Sequence, residues 1–385
     1  MKLTVFYKIL NNNTISSILN KDENSLDIST LIEFAELESV TDDPLKEFVI
    51  TKLADDENVL AKILGRGASI GDDLKNIAIA DLNYVLSALN NLSAFSYIPS
   101  EHKAHFCNEY TRSIRAMVKA KTADELFELL CKHYKTLGTG IFARYTALLC
   151  SKDGLSGIEN PDTTSFNELI GLEHIKKTLT DNTELFLSGK KANNVLLFGD
   201  RGTGKSSCVK ALLNKYHEQG LRVIELPKNC ITLIPDLYKE LSSKPQKFIL
   251  YLDDLSFEKH EPEYRSLKVS MEGQLGSIPQ NVLIFATSNR RHLIKENWKD
   301  REGGDVHAGD NMQEMLSLSE RFGISLVFSA PNQREYLDIV KELLSRKGIE
   351  INDEIEKKAI AWQMNYGGRT PRCASQFAAA YRNEE

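Results

Sequence analysis

The sequence has little of what membrane, secreted or disulfide-rich proteins need. No apolar run in its 385 residues is long enough to span a bilayer, and the first residues lack the pattern of a signal peptide. Its six cysteines are scattered, with no C-x-x-C pair, which favours a reduced chain over a disulfide-linked one. We therefore expect a cytoplasmic protein with no membrane partner.

The chain also lacks an excess of positive charge. It has 48 Lys and Arg residues against 54 Asp and Glu residues, a formal net charge of −6. Proteins that hold nucleic acid by general electrostatic attraction present a basic surface, so we do not expect nucleic acid among the partners. A small basic group between Arg112 and Lys121 is the one feature that favours it, and we interpret that group as a solvated helix face.

One glycine-rich stretch, Gly199–Ser206, organises the chain. It reads Gly-Asp-Arg-Gly-Thr-Gly-Lys-Ser and matches the pattern G-x-x-x-x-G-K-[ST]. The apolar run at 194–198 predicts a buried parallel strand before it, and residues from Lys205 onward predict a helix after it. Glycines let backbone N–H groups surround phosphate oxygens, and a helix N-terminus adds donors and a positive dipole end. The pattern therefore predicts a site for nucleotide phosphates, with ATP as ligand and ADP as product.

The polar residues of this loop have specific expected roles. Lys205 would reach the β- and γ-phosphates, and the Ser206 hydroxyl would ligate Mg²⁺. The residues of the loop that we expect to contact the nucleotide are Gly199, Asp200, Arg201, Gly202, Thr203, Gly204, Lys205, Ser206 and Ser207.

A second motif supplies acidic side chains. The apolar run 248–252 predicts a buried strand that ends at Asp253 and Asp254. Beside the phosphate loop, Asp253 would hold Mg²⁺ through its hydration shell and Asp254 would polarise the attacking water. Many strands end in acids, so this interpretation depends on the phosphate loop upstream.

The pattern of elements divides the chain into four parts. Residues 1–150 predict an all-helical domain, and residues 151–165, with several Gly, Ser, Thr and Asp, predict a linker. Residues 166–331 alternate strands and helices, which predicts an α/β core with a parallel sheet of five strands. Residues 332–385 predict a small helical lid. Within the core, the polar stretch 300–310 predicts a loop.

The ordered motifs resemble those of AAA+ ATPases, a family of P-loop NTPases, over residues 166–385. Residues 284–289 resemble the sensor 1 strand, and the resemblance implies that Asn289 at its tip helps to orient water. Residues 318–323 resemble the arginine-finger segment, which implies that Arg321 stabilises γ-phosphate charge in a neighbouring subunit.

The same resemblance gives roles to two further segments. Residues 368–372 resemble the sensor 2 segment, which implies that Arg372 senses the γ-phosphate from the first turn of the last helix of the lid. Residues 169–171 resemble the segment that packs on adenine, so Ile170 and Gly171 are expected in the nucleotide site.

A narrower resemblance is to the predicted bacterial ATPases of domain-of-unknown-function family 815. It rests on residues 182–189, on the acidic stretch 253–258 and on residues 286–293. The resemblance implies an AAA+ core that binds ATP, and it names no cellular role.

Two features depart from the AAA+ pattern. Most active members carry Glu as the second acid of the Mg²⁺-binding strand, and this chain has Asp254, which is shorter by one methylene. Protein unfoldases of this class place an aromatic–apolar–Gly loop after the second core strand, and residues 226–234 contain no aromatic–Gly pair. The first departure predicts slow turnover, and the second disfavours a machine that threads polypeptides through a pore.

We therefore predict a cytoplasmic AAA+ ATPase that binds ATP with Mg²⁺ and hydrolyses it in a homo-oligomer, a ring or an open ring. Hydrolysis would drive conformational remodelling of a protein client that the sequence does not identify. The alternative is a nucleotide-gated binding module, such as a loader or adaptor, with little intrinsic hydrolysis. Asp254 and the missing pore aromatic favour this alternative, whereas the arginine finger and both sensors favour the hydrolase.

Overall fold

The computed structural model describes residues 3–20, 22, 25–90, 97, 106–258, 261–272, 278–290, 293, 318 and 320–381. The predicted loop at 300–310 lies outside these described residues. Within them, no helix combines the length and the apolar character that crossing a membrane requires.

Helices build the first part of the described chain. Their bounds are α1 (Asn13–Asn20), α2 (Ile28–Leu37), α3 (Pro44–Asp55), α4 (Val59–Gly65), α5 (Asp72–Asn90), α6 (Asn108–Lys119), α7 (Ala123–Thr136) and α8 (Ile141–Arg144). Local sequence explains several starts: α3 begins where the Asp43 carboxylate accepts from the Lys46 N–H and Pro44 occupies the first turn. Their apolar faces form one continuous core, so this region has the interior of an independent folding unit.

Seven strands of the described chain form one sheet. Their bounds are β1 (Ala147–Ser151), β2 (Gly154–Gly157), β3 (Val195–Gly199), β4 (Leu221–Glu225), β5 (Lys247–Leu252), β6 (Val282–Ser288) and β7 (Ile324–Phe328). They lie side by side in the order β2, β1, β4, β5, β6, β3, β7. Every neighbouring pair is parallel except β1 and β2, which form an antiparallel hairpin.

The predicted α/β fold is confirmed, but the predicted number of five strands is wrong. The five expected strands are present as β3 to β7, and the hairpin of β1 and β2 extends the sheet beyond β4. The hairpin occupies residues that the sequence assigned to the end of the helical domain and to the linker. The second strand reads Gly-Leu-Ser-Gly, and glycine and serine favour turns over strands. Its pairing with β1 therefore outweighs its weak local preference.

Helices cover both faces of this sheet, and further helices follow it. Their bounds are α9 (Glu173–Leu187), α10 (Lys205–Tyr216), α11 (Ile234–Leu241), α12 (Pro262–Glu272), α13 (Gln333–Ser345), α14 (Asp353–Tyr366) and α15 (Pro371–Ala380). Strands β5 and β6 are almost entirely buried, and two apolar clusters pack on the two faces. This double covering is why these strands are continuous apolar runs instead of alternating ones.

The last three helices, α13 to α15, form a separate small core around Tyr336 and Phe377. The Thr370 hydroxyl caps α15 by accepting from the Cys373 N–H, and Pro371 follows in the first turn. This capped start lies against the phosphate loop, because the Arg372 N–H donates to the carbonyl oxygen of Gly202 at 3.2 Å. These three helices and the α/β core therefore meet at one side of the glycine-rich loop.

Candidate functional site

The strand order brings three predicted motifs to one edge of the sheet. Strands β5, β6 and β3 are consecutive neighbours, and the segments that follow their carboxyl ends contain Asp253, Asn289 and the glycine-rich loop. Ligands of parallel α/β sheets bind outside the carboxyl ends of the strands. The motifs therefore converge where a ligand of this fold class binds.

Two glycines give the loop its shape. Gly199 has φ +132°, and a Cβ placed on it would lie 2.0 Å from the carbonyl oxygen of Phe328 in the neighbouring strand. Gly204 has φ +102° and immediately precedes α10. Because side chains other than glycine rarely adopt these conformations, the glycines allow the chain to leave β3 and to aim the first turn of α10 back across the sheet edge.

Lys205 is held inside the loop. It is 8% exposed, and its Nζ donates to the carbonyl oxygens of Gly199 at 2.8 Å and Asp200 at 2.6 Å and to Asn289 Oδ1 at 3.2 Å. Burial lowers the pKa of this ammonium. Its three hydrogen-bond acceptors are neutral oxygens, so the positive charge is positioned without a carboxylate in direct contact, and it remains available to an anion.

Asp253 sits at the centre of a hydroxyl cluster. Its Oδ1 accepts from Ser206 Oγ at 2.8 Å, from the Tyr251 hydroxyl at 2.6 Å and from Thr287 Oγ1 at 2.5 Å. Partial withdrawal from water alone would raise the pKa of Asp253, but the bonds from Thr287, Tyr251 and Ser206 outweigh it and the pKa is lowered. The group is therefore a carboxylate at neutral pH, directly beside a serine hydroxyl.

Asp254 is linked to Lys205 through one side chain. Asn289 Nδ2 donates to Asp254 Oδ1 at 2.5 Å, while Asn289 Oδ1 accepts from Lys205. Asp254 has φ +49°, and it is the only residue other than glycine with a positive φ in the described chain. Aspartate tolerates this left-handed region better than most residues, and strained backbone of this kind is concentrated at functional sites.

The residues around these groups enclose a cleft of about 500 Å³, within the range of small-molecule sites. Its apolar wall includes Ile170 and Leu172 from the segment before α9 and Ile339 and Leu343 from α13. Its polar wall comes from the loop, the two acids and the start of α15. One side of the cleft suits a flat apolar group and the other suits phosphates.

The structure gathers most of the predicted site residues in this cleft. The predicted residues that line it are Ile170, Arg201, Gly202, Thr203, Gly204, Lys205, Ser206, Ser207, Asp253, Asp254, Asn289 and Arg372. Three predicted residues do not line the cleft, although each is next in sequence to predicted site residues: Gly171, Gly199 and Asp200. Gly171 forms a turn with φ +77°, and the Asp200 carboxylate instead accepts from the Ala330 N–H at 2.8 Å.

Arg321 lies away from the cleft. It precedes β7, whose first residue, Ile324, pairs with Val195 at the start of β3. A strand of five residues is about 17 Å long, so Arg321 lies near the amino edge of the sheet while the loop follows its carboxyl edge. There the Arg321 guanidinium forms an ion pair with Glu272 at the end of α12.

Two residues of the hydroxyl cluster were not predicted from the sequence. Tyr251 lies two positions before Asp253, so the alternation of a strand places both side chains on one face. Thr287 follows Ala286, which pairs with Leu252, and therefore lies across from Asp253. The period of two and the parallel register are the signals that identify both residues once the order of the strands is known.

The donor set fits a magnesium ion. Ser206 and Asp253 supply a hydroxyl and a carboxylate oxygen 2.8 Å apart at the floor of the cleft. Mg²⁺ prefers oxygen ligands and is commonly held by one or two side chains, with water and substrate phosphates completing the octahedron. Among the described residues, no group of three or more His, Cys, Asp or Glu side chains suits a metal bound by protein alone.

The profile of a protein family described as "Protein of unknown function (DUF815)" matches residues 142–385. No curated protein matches the chain. Among solved structures, the Thermotoga maritima RuvB Holliday junction branch migration motor is similar at 20% identity, with a TM-score of 0.39 over 56% of this chain and 63% of that one. Two single-residue variants of the same RuvB are similar at 21% identity, with the same TM-score and coverage. The chain thus spans less than two thirds of the length of these structures.

Proposed function

Because the chain belongs to the family described as protein of unknown function DUF815, and because its cleft joins a phosphate loop to two acids, we propose that it is an AAA+ ATPase that binds and hydrolyses ATP. One observation carries the proposal. Lys205, Ser206, Asp253, Asp254 and Asn289 contact one another in two short networks within a single cleft.

The side chains divide the work of binding. The backbone N–H groups of the loop and Lys205 would surround the phosphates, and the adenine would lie against Ile170. Ser206 and Asp253 would hold Mg²⁺, which neutralises charge on the β- and γ-phosphates when it is bound. Arg372 would approach the γ-phosphate from the lid, so that closure of the lid depends on which nucleotide is present.

The reaction would be direct attack by water in line with the bond between the β- and γ-phosphates. Asp254 would accept a hydrogen bond from that water, and Asn289, which already bonds to Asp254, would fix its direction. Lys205 would stabilise the negative charge that develops on the phosphate oxygens. The proton would leave through Asp254 to solvent, with ADP and phosphate as products.

We propose that the active form is a homo-oligomer, a ring or an open ring. The support is the position of Arg321, which lies near the opposite sheet edge from the cleft of its own chain. A finger there would serve the γ-phosphate of an adjacent copy, an arrangement worth about 10³ to 10⁵ in kcat where it is known.

Hydrolysis would remodel a protein client through the helical region. The phosphate-loop helix α10 is followed by His217 and Glu218, which contact α6: Arg112 pairs with Glu218 at 2.9 Å, and His217 lies 3.5 Å from Glu109. A shift of α10 would therefore be transmitted to the helical region.

We also propose a cytoplasmic location, which the six free cysteines support.

A second candidate is a nucleotide-gated binding module with little hydrolysis, such as a loader or adaptor. The observation that favours it is the engagement of Asp254, whose short carboxylate already bonds to Asn289 at 2.5 Å. Because this carboxylate is one methylene shorter than the usual glutamate, it would reach the attacking water less well, and ATP would then act by setting an assembly state.

The test is the steady-state ATPase rate against protein concentration. We expect a specific activity that rises with concentration and is lost in both Lys205→Ala and Arg321→Ala. Arg346→Ala is the matched control, because Arg346 is another arginine paired with a glutamate, Glu342, and lies on the surface of the lid. Tight ATP binding with negligible turnover at every concentration would replace the hydrolase with the gated module.

A further inference from the structure

A second concave surface lies at the opposite edge of the sheet from the nucleotide cleft. Two recesses of about 570 and 830 Å³ share Lys135, Pro245 and Lys247 and so form one continuous depression, which we call the seam groove. Its floor includes Gly220, Lys247 and Asn281, at the amino ends of β4, β5 and β6. Its other wall comes from the helical region, so the groove follows the seam between the two parts.

The seam groove is basic although the chain is acidic overall. The cationic side chains that line it are Arg66, Arg112, Lys132, Lys135, Lys244 and Lys247, and the carboxylates are Glu109 and Glu218. The formal balance of the lining is thus positive, within a chain of net charge −6.

Internal ion pairs compensate only part of this charge. Glu218 pairs with Arg112 at 2.9 Å, Glu109 lies beside His217, and Lys244 pairs with Glu57. Four cations, Arg66, Lys132, Lys135 and Lys247, have no carboxylate partner within the described parts of the chain. Like charges gathered in a concave, low-dielectric wall focus the potential and attract anions.

One cation of the lining, Lys247, also lacks a close polar partner. Burial lowers the pKa of the Lys247 ammonium, and its nearest hydrogen-bond acceptor is the carbonyl oxygen of Gln280 at 3.5 Å. An anionic oxygen bound in the groove would give this ammonium a closer partner than the Gln280 carbonyl.

The lining indicates the chemical class of that ligand. Among the described residues that line the two recesses, none is Phe, Tyr or Trp. Protein partners are usually anchored by such aromatic residues, and unstacked bases are usually held by them. What the groove does offer is a row of cations, mostly lysines, along two connected recesses. This suits a polymer that carries one negative charge per repeat and is held by its backbone.

We propose that the seam groove binds the phosphodiester backbone of a nucleic acid without reading its sequence. The net charge of the chain argued against nucleic acid because it averages the whole surface, whereas the groove concentrates four uncompensated cations in one place. Of the basic group between Arg112 and Lys121, only Arg112 reaches the groove, and it is paired. The proposed nucleic-acid site, the seam groove, therefore differs from the basic group at 112–121 that the sequence indicated.

The test is fluorescence anisotropy of labelled oligonucleotides, single-stranded and duplex, with the full chain and excess ATP. We expect binding at about 50 mM salt that weakens steeply by 200 mM, with log K falling against log salt at a slope of about −3. The triple variant Arg66→Gln/Lys132→Gln/Lys135→Gln removes three of the four cations. Its affinity for the oligonucleotides should fall by on the order of tenfold or more, and the slope of log K against log salt should become less negative by about 2. Comparison of the two oligonucleotides identifies which form of backbone the groove prefers.

The matched control is Lys190→Gln/Lys191→Gln/Lys341→Gln, which removes the same charge from exposed positions outside the groove. It should bind as the wild type does. Equal weakening in the control triple variant, or no binding of either oligonucleotide at low salt, would overturn the proposal. Binding of polyglutamate in preference to the oligonucleotides would assign the groove to an acidic protein instead.

Discussion

The two edges of the parallel sheet use their charged residues in different ways. At the carboxyl edge, Lys205, Asn289 and Asp254 bond to one another, and Asp253 is surrounded by three hydroxyl groups. Near the amino edge, Arg321 meets Glu272 at the surface, and the seam groove carries four cations without a carboxylate partner in the described chain. The charged side chains of the carboxyl edge contact one another, whereas the four cations of the seam groove have no such internal partner.

This difference separates charged groups whose partners lie within the chain from charged groups whose partners would come from another molecule. A network whose members hold one another is already arranged for the transition state and spends little energy on reorganisation. Cations that face outward gain their main partners from another molecule. We therefore propose that the nucleotide of the same chain binds at the carboxyl edge, and that a neighbouring copy and a polyanion bind at the amino edge.

The prediction with the largest effect separates the two edges in one experiment. Lys205→Ala should lose ATP binding and hydrolysis, while Arg321→Ala should keep binding and lose kcat by about 10³-fold or more. When the two inactive variants are mixed, we expect ATPase activity to return, because Lys205→Ala still offers Arg321 to the intact cleft of the other variant. The measurement is phosphate release against mixing ratio.

The control for mixing is Lys205→Ala/Arg321→Ala added to either single variant. With the double variant in Lys205→Ala, no cleft retains Lys205, so activity should stay absent. If the two single variants co-assemble but do not restore activity, Arg321 does not act on the nucleotide of a neighbouring copy. The proposal that the amino edge serves a neighbouring copy would then be wrong.

A second prediction sharpens the comparison inside the cleft. Asp254→Asn keeps an oxygen for Asn289 and a side chain that tolerates φ +49°, but it removes the negative charge that would polarise water. We expect ATP affinity within about twofold of wild type and kcat lowered by about 100-fold or more. Asp236→Asn, in a surface ion pair with Lys239, is the control. Unchanged turnover in Asp254→Asn would favour the gated module, whose hydrolysis does not depend on this acid.

Much of the carboxyl edge could be predicted from the sequence because its signals are local. The glycine pattern at 199–206, the acids that end β5 and the cap at Thr370 each follow from residues that are neighbours in the chain. Their convergence then follows from the rule that parallel strands present their carboxyl ends together. The strands expected at 194–198 and 248–252 agree with β3 and β5 to within one residue.

The remaining features depend on partners that are distant in sequence. Strand β2 has a poor local propensity, and pairing with β1 is what makes it a strand. The seam groove joins residues near 66, 135 and 247, which no local pattern connects. Thr287 belongs to the site only because β6 lies beside β5. The functional residues at the strand ends can therefore be predicted from the sequence. The cations of the seam groove can be identified only from the structure, because they come from distant parts of the chain.

The smallest predicted effect concerns Thr287, which is 1% exposed and serves both acids. Its hydroxyl donates to Asp253 and accepts from the Asp254 N–H at 2.8 Å. Thr287→Val keeps the shape but leaves both groups without this partner, so we expect a loss of about 1–2 kcal/mol in the free energy of unfolding. It should also weaken Mg²⁺-dependent ATP binding, because Asp253 loses one of the hydroxyl groups that hold its carboxylate in position.

The dependence of this effect on pH identifies its cause. Since hydrogen bonding lowers the pKa of Asp253, its stabilising contribution is present above the ordinary carboxyl pKa of about 4 and is lost as the pH falls through the lowered value. The difference between wild type and Thr287→Val in urea unfolding should therefore be largest at neutral pH and shrink in acid. Thr287→Ser retains the hydroxyl and should lose less stability with the Mg²⁺ dependence unchanged. If Thr287→Ser and Thr287→Val lose the same stability, the packing of the Thr287 methyl group matters and its hydroxyl does not. The hydrogen bonds around Asp253 would then contribute little to the stability of the carboxyl edge.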